Sequence, residues 1–292
     1  MGFGGMIMKI AISSDSTLAI KQAEGKQLGI YILPLNVIVD GEEFHDDVTI
    51  DLDKLMPMMR SNSRVTTSTP TPFEIEEYFD KIFAEGYDHV IHFTISGSLS
   101  SMPQLFEVQT EEKWPGKVTV LDSRSVCYYM AEHVLTAKKM VDEGASVDEV
   151  VEVFNGRKGS EDIIFLPESL TFLKNGGRVS PTVAALGNLI GMVPVLGFVN
   201  GTIEKIGTTR NVKKTLHENA KRLVKIGYDP KEWNLNIVHF DISQKTKDLI
   251  RRVVEDYLGE YDVKYSQLSI NVAAHTGPGT FGFGMSKKVG VK

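Results

Sequence analysis

Between Asp88 and Thr110 the chain passes from a short apolar run into a Ser/Gly-rich turn and then into a helical pattern. Asp88-His89-Val90-Ile91-His92-Phe93 reads as a buried strand, Thr94 to Ser101 as the turn, and Pro103 to Thr110 as the helix. A strand that feeds a helix through a tight polar turn belongs to sheets whose strands run parallel, with the turn at their carboxyl edge. The first N–H groups of such a helix have no partner within it. Gly97 lets the backbone approach a ligand closely. The hydroxyls of Ser96, Ser98, Ser100 and Ser101 suit two roles, and both stay open here. They cap the helix, or with the positive helix end they hold a phosphate or carboxylate.

The same alternation extends along the first half. Lys9 to Ser13 reads as the first strand and runs into Ser13-Ser14-Asp15-Ser16-Thr17. Tyr31 to Val39 is mostly apolar and reads as one buried strand, followed by an Asp40-Gly41 turn and an acidic run, Glu42 to Asp47, expected as a solvated loop. Ile75, Tyr78, Phe79, Ile82 and Phe83 fall on one helix face, with Thr71 as N-cap, Pro72 at the first helical position and Glu74 closing a capping box. Val118 to Leu121 reads as a strand, and Met130–Asp142 and Val147–Phe154 as helices. Near residue 160 the pattern changes. A strand at 162–165 leads to a short helix, Glu168 to Lys174, and then Gly176-Gly177. Val195–Val199 and Thr202–Gly207 flank Asn200-Gly201, a strong hairpin signal. A helix from Val212 to Lys225, a strand at 235–239, a helix carrying Leu249 to Leu258 and a strand at 263–268 follow. Ala273 to Met285 is rich in glycine and carries little helix signal. The expectation is an α/β protein of two domains. Residues 1–160 form an α/β domain on a parallel sheet, and 161–292 an α+β domain on a mixed sheet.

Several function classes are disfavoured by composition. The formal charge of −6 argues against a nucleic-acid or anionic-membrane surface. Cys127 is the only cysteine, so no internal disulfide can form, which fits the cytoplasm. The first eight residues carry neither a basic region nor a secretory-length apolar run, and the fold is expected to begin near Met8. The apolar region Leu186–Val199 is broken by Gly187, Asn188, Gly191, Pro194 and Gly197, so stable membrane insertion is not expected. There is no Gly-x-Gly-x-x-Gly after the first strand, no phosphate loop ending in Gly-Lys-Ser/Thr, no zinc motif and no nucleophile elbow. Neither a cofactor nor a metal is expected.

The polar stretches that remain are Ser13–Thr17, Val65–Pro72, Thr94–Ser101, Lys174–Ser180 and Ala274–Gly279. His275, between Ala274 and the turn Thr276-Gly277-Pro278-Gly279, is held in position. It could donate to a carboxylate or be a core histidine satisfied by backbone. Arg178 after Gly176-Gly177, and Arg210 after Thr208-Thr209, are anion contacts or solvated charges.

Taken together, these stretches resemble the DegV family of bacterial fatty-acid-binding proteins, from about Lys9 to Gly284. The matching pieces are Ser14-Asp15-Ser16-Thr17, Pro34-Leu35-Asn36-Val37, Thr67-Ser68-Thr69-Pro70-Thr71-Pro72, Ile95-Ser96 with Leu99-Ser100, and Leu121-Asp122-Ser123. They continue through Leu173 to Ser180, Pro194-Val195-Leu196, Asn200-Gly201, Arg210 and His275 to Gly279. The resemblance implies a two-domain fold with an apolar tunnel for one long-chain fatty acid. By position, the carboxylate contacts fall on Thr67, Ser96, Gly97, Ser98 and His275, and Arg178 and Arg210 lie near the head group where a kinase docks. That partner, a dihydroxyacetone-kinase-like fatty acid kinase, would convert the acid to an acyl phosphate for phospholipid metabolism. The chain itself would be a carrier subunit with no catalytic residue. Gly97 stands where the family usually has a second serine, so backbone N–H groups at Gly97 and Ser98 would replace a hydroxyl. Two rival readings of the same residues are an acyl-ester hydrolase using Ser96 and His275 and a binder of another anionic small molecule.

Overall fold

The computed structural model describes residues 8–178, 191–199 and 201–291. Val179, Ser180, the Leu186–Ile190 part of the apolar region and Asn200 of the hairpin signal lie outside them. Four parallel strands, β1 (Ile10–Asp15), β2 (Ile30–Leu33), β6 (His89–Thr94) and β7 (Val118–Asp122), form a sheet in the order β2-β1-β6-β7. Ile10 and Ile12 of β1 pack with Met130, Val134 and Phe154, from helices α5 (Cys127–Asp142) and α6 (Val147–Arg157). Ala11 and Val90 point the other way, against Ile75, Phe79 and Phe106 from α3 (Pro72–Ala84) and α4 (Met102–Lys113). Both sheet faces are therefore covered, which is why these strands read as continuous apolar runs. The capping box of Thr71 and Glu74 starts α3, as the sequence indicates.

The Tyr31–Val39 run is two strands, not one. It breaks at Pro34, which lacks the N–H that a ladder needs. After the break the chain leaves the parallel sheet, and β3 (Asn36–Val39) joins a three-stranded antiparallel sheet between β4 (Glu42–His45) and β5 (Val65–Ser68). Four of the six residues of the acidic run expected as a loop are thus strand β4. Glu42 and Glu43 face solvent, while Phe44 and Asp46 are buried.

The remaining strands form a six-stranded mixed sheet. They are β8 (Asp162–Leu166), β9 (Val193–Val199), β10 (Thr202–Thr209), β11 (Trp233–Phe240), β12 (Asp262–Gln267) and β13 (Thr280–Lys287), in the order β10-β9-β8-β13-β11-β12. One face packs against α8 (Val212–Ile226) and α9 (Gln244–Tyr257) through Leu216, Leu223, Ile250 and Val253. The other faces the three-stranded sheet, α2 (Leu52–Arg60), α7 (Thr171–Gly176) and α10 (Ile270–Thr276).

Two further expectations need correction. The short helix α7 begins at Thr171 rather than Glu168. The glycine-rich end contains both α10 and the central strand β13. Phe281, Phe283 and Met285 of β13 are buried against the α8/α9 side, and Gly282 and Gly284 occupy the opposite face. That alternation is a strand signal with the inner face stripped of side chains. A Cβ on Gly284 would lie 2.5 Å from the carbonyl oxygen of Asp162 and 2.7 Å from Cα of Ile163, so the sheet needs glycine there for close backbone approach.

Candidate functional site

The polar stretches meet where the three sheets face one another. Strand β5 carries Thr67, and α10 carries His275; Thr67 Oγ1 and His275 Nε2 are 2.7 Å apart, hydrogen bonded across 208 residues of sequence. The imidazole is backed by α7. A Cβ on Gly176 would sit 2.3 Å from His275 Nδ1, so glycine is what lets the ring lie there. Burial, and then the positive Arg178 guanidinium beside it, hold the His275 imidazole down at about 4, so it is neutral at pH 7. Arg178 is exposed and reaches back to the carbonyl oxygens of Leu99 (3.4 Å) and Gly176 (2.5 Å).

These residues stand on a cavity whose wall also includes Ser68, Thr69, Ser100, Leu35, Met102 and Asn271. A second cavity adjoins it through shared walls at Leu99, Ile203, Val272 and Thr276. It is lined by Val126, Cys127, Tyr129, Phe165, Phe198, Val238 and Gly282 and offers almost no polar atom. The pair sets a chamber with one neutral imidazole, several hydroxyls and one arginine beside an apolar chamber. That combination suits a molecule with a single anionic head and a long hydrocarbon tail.

The Ser96-Gly97-Ser98 turn sits beside this cavity without lining it. Ser96 is buried, and its hydroxyl donates to the carbonyl oxygen of Gly201 (2.8 Å), tying the β9–β10 hairpin to the parallel sheet. The Gly97 N–H donates to Asp122 Oδ1 (3.0 Å), and the Ser98 N–H to Ser96 Oγ (3.3 Å). A Cβ on Gly97 would meet Asp122 Oδ2 at 2.8 Å, so this glycine serves the Asp122 contact. The turn's neighbours Ile95, Leu99 and Ser100 reach the cavity instead. Ser96 and His275, the pair a hydrolase would use, each spend their hydrogen bonds on other partners. Arg210 is exposed beyond the far end of β10. It is not among the residues that line the cavity.

Sequence reasoning passed over the acidic side chains that brace the chamber. Asp15 caps the turn after β1, accepting from the N–H and hydroxyl of Thr17 and from the Ile95 N–H (2.7 Å). Asp46 accepts from Ser16 Oγ (2.8 Å) and Asn271 Nδ2 (3.2 Å), linking β1, β4 and α10. Burial pushes Asp15 up to about 6 and Asp46 up to about 7. The Asp15 role was signalled by the small polar residues after β1; nothing local marks Asp46 among the other acids of its run.

The family model for uncharacterised proteins of the DegV family matches residues 9–288. The chain belongs to the DegV family. A DegV domain-containing protein of Mycoplasmopsis pulmonis is 29% identical over 283 residues, covering 96% of each chain. A DegV family protein from Thermus thermophilus, solved in a study of its fatty acid binding, matches with a TM-score of 0.86 and 30% identity over 96% of this chain and 100% of that one. A stearic-acid-binding protein from Eubacterium ventriosum shares the fold, with a TM-score of 0.83 at 23% identity over 96% of this chain and 99% of that one. Among the described residues of this DegV-family chain, no helix is long and apolar enough to cross a membrane. Nor does any group of His, Cys, Asp and Glu among them stand ready for a metal ion.

Proposed function

We propose that this chain binds one long-chain fatty acid and presents its carboxylate to a dihydroxyacetone-kinase-like partner for conversion to an acyl phosphate. The observation that carries the reading is the adjacency of the two chambers: hydroxyls, His275 and Arg178 around one, almost purely apolar walls around the other. The fatty-acid binding of the Thermus thermophilus relative supports it. In this reading Thr67 bonds the carboxylate and His275 holds the Thr67 hydroxyl towards it, with Arg178 at the mouth. The Ser96–Ser98 turn acts indirectly, by fixing the hairpin that walls the chamber. Each buried methylene gains about 0.8 kcal/mol, so a full acyl tail suffices for a complex that survives purification.

Native mass spectrometry of the purified protein is expected to show one added mass of fatty-acid size, and solvent extraction to release that acid. Because a ligand bound only by the folded chain stabilises it, stripping the acid should lower the melting temperature and adding it back should restore it. A protein without lipid, whose melting ignores added long-chain acids, would remove this reading in favour of another small anion. The kinase step has its own test. With a kinase of that class supplied, Arg178→Ala and Arg210→Ala should each cut acyl phosphate formation more than fatty-acid affinity, since an arginine outside the ligand's own contacts can read a partner or the transferred phosphoryl group. Equal losses of affinity and turnover would make them ligand contacts only.

A further inference from the structure

The floor of the apolar chamber has one position without a side chain. Gly282 lies on β13, the strand between β8 and β11, and its register partners are Phe165 on one side and Val238 on the other. All three line the chamber. Helix α5 crosses above, where Tyr129 is held by a hydrogen bond from its hydroxyl to the carbonyl oxygen of Asn236 (2.9 Å). A slot results, with Phe165 and Val238 as sides, Tyr129 as a wall and bare backbone as floor. The slot is close-fitting: a Cβ built on Gly282 would come within 2.8 Å of Val238 Cγ2 and 3.8 Å of Phe165 Cβ. The backbone of Gly282 does not require glycine, since its φ lies outside the left-handed region. Close backbone packing does not require it either, because the nearest backbone atom to that Cβ, the Ile164 carbonyl oxygen, is 3.8 Å away. What the missing side chain leaves is the place of Val238 Cγ2, so any side chain at this position must push Val238 towards the chamber.

We propose that Gly282, framed by Phe165 and Val238, sets the tail length this chain accepts: it admits long unbranched acyl tails that a side chain there would exclude. The inference rests on the fatty-acid reading above. None of Phe165, Val238 and Gly282 lines the polar chamber. A tail short enough to end before the slot is therefore indifferent to them, and a longer one must lie over Gly282.

The test is a series of saturated straight-chain acids from octanoic to octadecanoic, with dissociation constants measured on the stripped full chain. Gly282→Ala is expected to weaken octadecanoic acid about tenfold or more relative to octanoic acid, as a crowding methyl in a filled apolar site does. Adding Val238→Ala in the same chain removes the atom the new methyl strikes, and should return most of the lost affinity for the long acid. If Gly282→Ala does not fold, Val238→Leu narrows the slot from the adjacent strand and should give the same length-dependent loss. Equal weakening of every acid, or no rescue by Val238→Ala, would overturn the assignment. An unsubstituted chain that binds no acid of the series would instead overturn the fatty-acid reading on which it stands, and the assignment with it.

Discussion

His275→Ala is expected to weaken long-chain fatty-acid binding roughly ten- to hundredfold, and Thr67→Ala by a similar factor, because a hydrogen bond to a charged group is worth about 1.5–3 kcal/mol. Both side chains line the polar chamber and are joined at 2.7 Å. The imidazole is neutral at pH 7, since its folded value lies near 4. It therefore offers one N–H, and when that N–H is directed at Thr67 the hydroxyl is free to donate to a carboxylate. Thr67 then donates to the carboxylate while His275 fixes the direction of that hydroxyl, so losing either weakens the ligand's bond. A third substitution separates geometry from chemistry. Gly176→Ala deletes no polar atom, yet its Cβ would sit 2.3 Å from His275 Nδ1 and push the ring aside. It should reproduce much of the His275→Ala loss. Calorimetric titration with a long-chain acid, on variants whose circular dichroism matches the parent, reads all three. Unchanged affinity in His275→Ala and Thr67→Ala would take both out of the head-group site.

Asp46→Asn is expected to gain stability over the parent chain as pH rises, by up to about 4 kcal/mol between pH 4 and pH 8. Burial raises the folded Asp46 value from 3.8 to about 7. The folded state thus holds a proton that the unfolded state has released across that window. The stability this gives the parent is complete below about pH 4 and is lost as pH rises through 7. Asparagine resembles the protonated side chain, can keep accepting from Ser16 Oγ and Asn271 Nδ2, and does not titrate. The parent's own pH profile is a poorer guide. Asp15, raised to about 6, adds to the loss with rising pH. Burial holds His92 at about 3, and His275 lies at about 4, so both favour the folded state more as pH rises towards 6.5. Only the difference between variant and parent isolates Asp46. Urea unfolding of both at pH 4.5 and pH 8 measures it, and a difference that does not change with pH would count against a buried, proton-holding carboxylate at this position.

Much of the fold could be read directly from local pattern. The strands near residues 10, 90 and 118, the helix capped by Thr71 and the hairpin flanks near 200 carry their own signals: apolar runs of strand length, a capping box, turn residues at fixed offsets. These are contacts within a few residues of chain, and the sequence states them. Where local signals disagreed with the structure, a partner distant in sequence was the cause. Tyr31–Val39 looks like one strand because both halves are apolar, but Pro34 interrupts the ladder and β5 takes the second half into another sheet. Ala273–Met285 lacks a strand's usual residues on one face because Asp162 and Ile163 of β8 approach too closely for a side chain at Gly284.

The site divides the same way. The polar stretches, including those bearing Thr67, Ser96, Arg178 and His275, stood out from their composition, and their order along the chain carried the family resemblance. Which of them share a cavity did not. Ser96 and Gly97 have the residue types of an anion turn, yet their hydrogen bonds go to Gly201 and Asp122, partners 105 and 25 residues away. Thr67 and His275, 208 residues apart, meet because the three-stranded sheet and α10 pack on the same face of the six-stranded sheet. The apolar chamber has no local signature, since Tyr129, Phe165, Val238 and Gly282 each look like ordinary core positions. The sequence by itself determined most of the strands and helices and which residues can make polar contacts, because those properties are set largely by near neighbours and side-chain chemistry. Only the tertiary structure decided which hydroxyl faces the cavity and which glycine lines it, because a side chain's partner is fixed by the packing of elements far apart in the chain.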